Sequence, residues 1–222
     1  KYEPDNVKNL VQEIILKQNP KFKNIFEGLD RAHGVTIVGE SNGNGTKVKG
    51  KSFVKREPIT DELWKKHLNG TDSLGVIPIN DDNKCKWGCI DIDSYAGFDH
   101  QKLINKIKQF KLPLVVCRSK SGGAHVFLFT KDYVSASLMQ DKLNEIRSVL
   151  GYGGSEVFPK QRELKSKDDT GNFLNLPYFQ IFHDIGNILV YFHQLAGEPN
   201  WHIFGYPLLI YLLKKLINVI FL

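Results

Sequence analysis

The hydrophobic and polar positions along the chain predict a mixture of helices and strands. Apolar residues recur at helical spacing in residues 7–26, up to an Asn-Pro pair that we expect to break this opening helix. Strand-like patterns follow at 35–38 and 47–53, joined by a connection rich in Gly and Asn that is typical of a hairpin. A threonine followed by two acids then predicts a helix over 60–68.

The second half of the chain alternates more regularly between the two patterns. Strand-like runs at 74–79 and 86–92 flank a polar Asn-Asp-Asp-Asn turn, which predicts an antiparallel pair. Segments 98–110 and 135–150 place apolar residues on one helical face, and a glycine follows the second of them. The remaining apolar runs predict short strands at 114–117, 125–129 and 156–159. From residue 81 onward the order of elements becomes β-α-β-β-α-β, which resembles a ferredoxin-like sheet.

We therefore expect an α+β protein, with an RRM- or ferredoxin-like antiparallel sheet, flanking helices and an N-terminal α/β unit. The N-terminal unit takes about residues 1–80 and the RRM-like unit about 81–180, so that the core covers 1–180. Residues 181–222 are aromatic and apolar without a recognisable motif, and we expect them to form an appendage. Two adjacent lysines interrupt its most apolar stretch, which favours a soluble helix over a membrane span.

Composition is that of an ordinary globular protein with a basic surface. The 222 residues are 41% hydrophobic and 24% charged, which excludes a disordered or fibrous chain. The net charge of +6 suits a polyanionic partner. The first residues lack the pattern of an export signal, so we expect a cytoplasmic protein without a membrane partner. Cys85, Cys89 and Cys117 lack the spacing of a zinc site, which predicts buried, reduced thiols and no structural metal.

Two carboxylates one residue apart lie at the end of an apolar run in the predicted strand 86–92. Asp91 and Asp93 would project from the same face of that strand, because strand side chains alternate between faces. Such a pair can hold a divalent metal, although acids at a strand end are also ordinary turn residues. A third carboxylate would complete a two-metal site: Glu156 is the best candidate, with Asp168 and Asp169 as alternatives. Ligands that are all oxygen favour Mg²⁺ or Mn²⁺.

A basic segment that contains two glycines follows, with the sequence Arg-Ser-Lys-Ser-Gly-Gly-Ala-His over residues 118–125. Its small residues would let the backbone approach phosphates, while the basic side chains supply charge and the histidine a directional donor. A glycine hairpin that ends in a core histidine is the alternative interpretation. Gln161 could also reach a triphosphate, and an aromatic residue shortly after the acids could stack on a sugar or simply pack. The nucleotide-binding candidates are Arg118, Ser119, Lys120, Ser121, Gly123, His125, Lys160, Asn172 and Tyr95.

Five basic residues without an intervening acid lie on the return strand of the first predicted hairpin and directly after it. They are Lys47, Lys49, Lys51, Lys55 and Arg56. A ribbon lined with lysines suits the phosphate backbone of a nucleic acid, and binding of that kind would be weakly specific for sequence. An edge strand kept soluble by its lysines is the equally open alternative.

These motifs together resemble the catalytic core of the archaeo-eukaryotic primase superfamily, closest to the primase-polymerases of phages, plasmids and mobile elements. The resemblance covers roughly residues 30–180 and depends on the hydrophobic-D-x-D segment, the S-G-G-x-H-type segment and a late acid on a strand. It implies that Asp91, Asp93 and Glu156 bind catalytic metal and that His125 contacts the phosphates of an incoming nucleotide. One departure is that the third acid is most often aspartate in that family.

The resemblance implies a template-directed nucleotidyltransferase, a DNA primase and/or DNA polymerase that uses Mg²⁺ or Mn²⁺. Its partners would be a single-stranded DNA template, a primer and nucleoside triphosphates, with a helicase or other replication protein as a further partner. Two other functions stay open: a metal-dependent glycosyltransferase of the D-x-D type, and a non-catalytic nucleic-acid-binding module on the same fold. The Ser-Gly-Gly-Ala-His segment and the positive net charge oppose the glycosyltransferase.

Overall fold

The computed structural model describes residues 19–37, 50–68, 70–93, 97–119 and 122–177. The helices of these ranges are α1 Asn19–Ile25, α2 Asp61–Leu68, α3 His100–Gln109 and α4 Ala136–Val149. The strands are β1 His33–Ile37, β2 Lys51–Lys55, β3 Gly75–Val76, β4 Lys84–Ile92, β5 Leu114–Arg118, β6 Ala124–Ser135, β7 Glu156–Phe158 and β8 Leu174–Asn175. The protein is thus a mixed α/β chain with two antiparallel sheets.

The described residues fall into two compact units. The first contains those up to residue 24 and those of 62–72, and the second contains those of 25–61 and 73–177. In the first unit, Phe22 meets Trp64 edge-on at 5.9 Å between ring centroids and stacks on His67 at 6.1 Å. All three side chains are buried, because α2 turns one apolar face inward.

The first sheet of the second unit has the strand order β2-β1-β3-β8. The register of β1 and β2 runs antiparallel, as the predicted hairpin requires, with Val35 opposite Phe53. The strands β1 and β3 meet at Gly34 and Gly75, where any side chain would overlap the ring of Phe173. These two glycines therefore let an aromatic ring lie directly on the sheet.

The second sheet has the strand order β5-β6-β4-β7, and its elements follow one another along the chain as β4-α3-β5-β6-α4-β7. The central strand β4 is almost fully buried. Helix α4 covers one face of this sheet, since a side chain at Gly88 would collide with Met139 and Leu143. On the opposite face Phe26 meets Trp87 edge-on, at 5.4 Å between ring centroids. The aromatic packing covers one end of this face. The candidate acids lie at the other end of the same face.

The predicted antiparallel pair of 74–79 with 86–92 is wrong. The polar turn between them forms as expected, with the Asn80 side chain accepting hydrogen bonds from the backbone, but the two flanking segments join different sheets. Strand β4 has β6 on one side and β7 on the other, so it has no edge left for β3. Residues Ile77 and Ile79 are fully buried in a cluster with Leu29.

Most other predicted elements are confirmed, with shifted ends. Helices α3 and α4 begin at the side-chain caps Asp99 and Ser135, and Gly151 follows α4 with a φ of 82°. The Asn-Pro pair expected to break the opening helix instead starts α1, a position that proline tolerates. The predicted segments 7–18, 38–49 and 181–222 lie outside the described residues, and with them the candidates Lys47 and Lys49. Within the described part of the chain, no helix has the length and apolar character needed to cross a membrane.

Candidate active site

Four residues form one row across the second sheet, which we call the sheet row. Cys117 of β5 lies opposite His125 of β6, His125 lies opposite Asp91 of β4, and Asp91 lies opposite Glu156 of β7. Directly opposed residues of antiparallel strands point to the same face of a sheet. The fold therefore brings the first acid of the D-x-D pair, the histidine and the late acid together on one face.

A side-chain contact within the sheet row joins His125 and Asp91. The Nε2 atom of His125 lies 3.4 Å from Oδ1 of Asp91, and the two side chains are only 13% and 18% exposed. The imidazole also meets the ring of Phe127 edge-on, at 6.0 Å between centroids. With a carboxylate on one side and an aromatic ring on another, the imidazole is held in a defined orientation.

Glu156 makes a different contact at the other end of the sheet row. Its Oε2 atom lies 2.7 Å from Nζ of Lys160, and its side chain is 57% exposed. The Lys160 ammonium group also lies 5.0 Å from the centroid of the Phe158 ring. The edge of the sheet therefore presents a paired acid and cation that solvent and ligands can reach.

A cavity of about 400 Å³ lies beside the sheet row, and all three predicted carboxylates line it: Asp91, Asp93 and Glu156. Its other walls are Ile92, Phe98 and the turn 151–155. A cavity of this size falls within the range of small-ligand sites. The three acids thus share one ligand-sized space.

Sequence reasoning missed the turn 151–155, because it treated Gly151 only as the end of a helix. The available signal was the Gly-Tyr-Gly-Gly-Ser sequence directly before Glu156. The turn closes through a hydrogen bond from Ser155 N to Tyr152 O, and the Arg147 side chain donates to Ser155 O. Burial, followed by the charge of Asp99, raises the pKa of Tyr152.

The donor chemistry of the cavity fits a hard divalent cation, since three carboxylates line it. The arrangement is not a preformed metal centre: although these residues share one face, no three His, Cys, Asp or Glu side chains among the described residues lie close enough to one another to hold an ion. The Glu156 carboxylate forms an ion pair with Lys160, and the Asp91 carboxylate contacts the imidazole of His125. A bound cation would therefore compete with Lys160 for the Glu156 carboxylate.

Residues 39–191, more than half of the chain, match the family described as "TOTE conflict system, Archaeo-Eukaryotic Primase domain". The chain belongs to this family. The resemblance inferred from the acids, the histidine and the glycine segment is thereby confirmed at the level of the superfamily. No curated protein matches the chain.

The described residues of the segment expected to contact phosphates, Arg118, Ser119 and 122–125, lie at the facing ends of β5 and β6. Ser119 N donates to Gly123 O, Gly122 N donates to Ser119 O, and Gly122 has a φ of 94°. The carbonyl of Gly123 also lies 3.0 Å from Nε2 of His100. Arg118 is exposed at the end of β5. The antiparallel pairing of β5 and β6 agrees with the alternative interpretation of this segment as a glycine hairpin. His125, at its end, is one of the four residues of the sheet row. The candidates Lys120, Ser121 and Tyr95 lie outside the described residues.

Two predicted residues of the later loop contact each other rather than the cavity. The amide of Gln161 donates to Oδ1 of Asn172 at 2.6 Å, and Asn172 N donates to Oε1 of Gln161 at 3.0 Å. Neither side chain is among those that line the cavity. This pair fixes the loop between β7 and β8, so we interpret it as structural.

The two acids considered as alternatives to Glu156 also belong to that loop. Backbone hydrogen bonds from Lys165 and Gly171, the largest cause, lower the pKa of Asp169. Arg31 donates to the carbonyl of Asp169, and Arg56 donates to the carbonyl of Asp168. Of the three candidates for the third acid, Glu156 is the one that lines the cavity.

The cysteines follow the prediction only in part. Cys85 and Cys89 are buried, whereas Cys117 is half-buried at the end of the sheet row. Burial raises the pKa of the Cys85 thiol to about 12. Burial, followed by the charge of Asp91, raises the pKa of Cys89. The two buried thiols therefore stay protonated at neutral pH.

Proposed function

We propose that this primase domain is a template-directed nucleotidyltransferase, a DNA primase and/or DNA polymerase that joins nucleoside triphosphates to a 3′-hydroxyl. The observation that supports the proposal most is that a single cavity contains Asp91, Asp93 and Glu156 and borders the His125–Asp91 pair. Membership of the primase family supports this reaction class.

In this proposal Asp91, Asp93 and Glu156 hold Mg²⁺ or Mn²⁺. When bound, the metal would neutralise charge on the phosphates and acidify the attacking hydroxyl. Three carboxylates around one cavity are the donor set that such ions prefer. Phosphoryl transfer of this kind needs positioned charges rather than a protein nucleophile.

His125 and Lys160 would contact the triphosphate. The Asp91 carboxylate orients the imidazole of His125, which can then donate a hydrogen bond to a phosphate oxygen. Lys160 neutralises Glu156 in the structure, so a cation that takes over Glu156 would release the ammonium group for an anionic substrate. Arg118 at the end of β5 would add a second positive charge near the phosphates.

The finer fold assignment belongs to the same proposal. The strand order β5-β6-β4-β7, with α3 and α4 as the connecting helices, supports an RRM- or ferredoxin-like unit. The boundary near residue 80, which separates this unit from an N-terminal α/β unit, stays a prediction, as does an appendage at 181–222.

We propose a single-stranded DNA template and a primer as the macromolecular partners, with a helicase or other replication protein acting beside them in the cytoplasm. The net charge of +6 supports a polyanionic partner. So do the exposed Lys51 and Lys55 on β2.

A non-catalytic nucleic-acid-binding module is the second candidate function. Two observations favour it: the described residues hold no ready-made group for a metal, and the third acid is glutamate rather than aspartate. This candidate predicts DNA binding that weakens with salt, without incorporation of nucleotides.

Primer extension by the full chain separates these functions. A labelled primer on a single-stranded template is incubated with deoxynucleotides or ribonucleotides and with Mn²⁺ or Mg²⁺. We expect extension that a chelator abolishes, and no sugar transfer in a parallel incubation with labelled nucleotide sugars. DNA binding without extension under any of these conditions would support the non-catalytic module and contradict the proposal.

A further inference from the structure

One face of β2 carries a phenylalanine between two lysines. Lys51, Phe53 and Lys55 alternate along the strand and therefore point to the same side, which we call the β2 face. Phe53 is 39% exposed. The Nζ atom of Lys51 lies 6.0 Å from the centroid of its ring. The β2 face thus combines two cations with an aromatic ring that solvent can reach.

The packing of β2 does not require this exposed ring. Val54, on the opposite side of the strand, packs against the buried cluster that contains Leu29 and Ile77. The five register pairs with β1 hold the strand through its backbone. Phe53 shares its side of the sheet with Ile37, which is 55% exposed and lies opposite Lys51. Large apolar side chains exposed next to each other are more informative than a single one.

The charges around Phe53 select an anionic partner. Lys51, Lys55 and Arg56 are positive, and the acid Glu57 lies 2.8 Å from Lys55. Strand β2 stands at an end of its sheet among the described strands, so its outer side is not covered by a further described strand. A partner here should offer negative charge together with a flat apolar surface.

We propose that the β2 face is a stacking site for single-stranded nucleic acid, with a base on Phe53 and phosphates near Lys51 and Lys55. Bases of a single strand expose their faces, whereas a duplex hides them in the base stack, so the aromatic ring favours the single strand. This inference rests on the proposed function and deepens it, because it names where an unpaired strand lies and which side chain holds it.

Fluorescence anisotropy of a labelled single-stranded oligonucleotide tests the site, using the full chain without metal or nucleotide. We expect Phe53→Ala to weaken binding about 5- to 150-fold, the range for loss of one stacked base, and Phe53→Trp to retain it. The matched control is Phe110→Ala, which removes another phenylalanine that is 46% exposed, and it should leave the affinity unchanged. Binding of the corresponding duplex should not respond to Phe53→Ala.

Salt dependence separates the ring from the lysines. Lys51→Ala should reduce the slope of log affinity against log salt by about 0.7, the value for one phosphate of a single strand, whereas Phe53→Ala should leave that slope unchanged. Unchanged affinity of Phe53→Ala for the single strand would overturn the inference. Equal losses for single strand and duplex, or an equal loss in Phe110→Ala, would overturn it as well.

The outcome is independent of whether the chain extends primers. If the wild-type chain extends primers but Phe53→Ala binds single strands normally, the inference fails and the proposed function stands. If binding depends on Phe53 but no nucleotide is incorporated, the proposed function fails and the stacking site stands.

Discussion

His125 and Asp91 lie directly opposite each other on the neighbouring strands β6 and β4, with 3.4 Å between Nε2 and Oδ1. The pairing depends on the backbone register of two long strands, so the orientation of the imidazole does not depend on a loop. A site on such elements is held more precisely than one on connecting segments.

Replacement of the histidine should act mainly on nucleotide binding. We expect His125→Gln to lower kcat/KM for the nucleotide about 10- to 100-fold through a higher KM, because a charge-assisted hydrogen bond to phosphate is lost. Steady-state extension kinetics at varied nucleotide concentration measure this. A nucleotide KM equal to that of the wild-type chain would contradict the role assigned to His125.

Removal of the ion pair between Lys160 and Glu156 should change the affinities for metal and for nucleotide in opposite directions. In Lys160→Met the cation no longer competes for Glu156, so Mn²⁺ should bind up to about 5-fold more tightly, the limit for an exposed pair. The affinity for nucleoside triphosphate should fall. Titration calorimetry with Mn²⁺ and with nucleotide measures both.

Lys142→Met is the matched control, since it removes a lysine that lies 2.8 Å from Glu145 on α4, outside the cavity. It should change neither affinity. Weaker binding of Mn²⁺ in Lys160→Met would show that the lysine does not compete with the metal.

The later loop should show a pH-dependent contribution to stability. Its hydrogen bonds lower the folded-state pKa of Asp169, so this group stabilises the fold above its unfolded pKa of about 3.9 and less as pH falls through the folded value. Asp169→Asn should therefore reduce the free energy of unfolding at pH 7, with a smaller difference near pH 3. Denaturant melts at both pH values measure this, and Asp168→Asn, in the same loop, should change little.

The sequence identifies the parts of the site that depend on local patterns. Alternation within the run that ends in Asp91 and Asp93 predicts the strand and its acid-bearing face, and the order of elements predicts that His125 and Glu156 lie on strands. Their adjacency then follows from strand pairing: β4 lies between β6 and β7, with Asp91 opposite both residues.

The remaining features depend on contacts between distant segments, which spacing does not encode. The predicted partner of β4 is wrong because two other strands take both of its edges. The turn 151–155 reaches the cavity only because β7 brings it beside Asp93. The sequence predicts that Lys160 contacts phosphate, whereas in the folded chain its ammonium group lies against the Glu156 carboxylate.

Primer extension by Asp91→Asn tests the central claim most directly, because the substitution keeps the shape of the side chain and removes its charge. Asp132→Asn, an exposed aspartate on β6 outside the cavity, is the control. With Mn²⁺ or Mg²⁺ and a labelled primer–template, we expect Asp132→Asn to extend at the wild-type rate and Asp91→Asn to lose at least about 100-fold in rate. Extension by Asp91→Asn at the wild-type rate would contradict the assignment of this cavity as the active site.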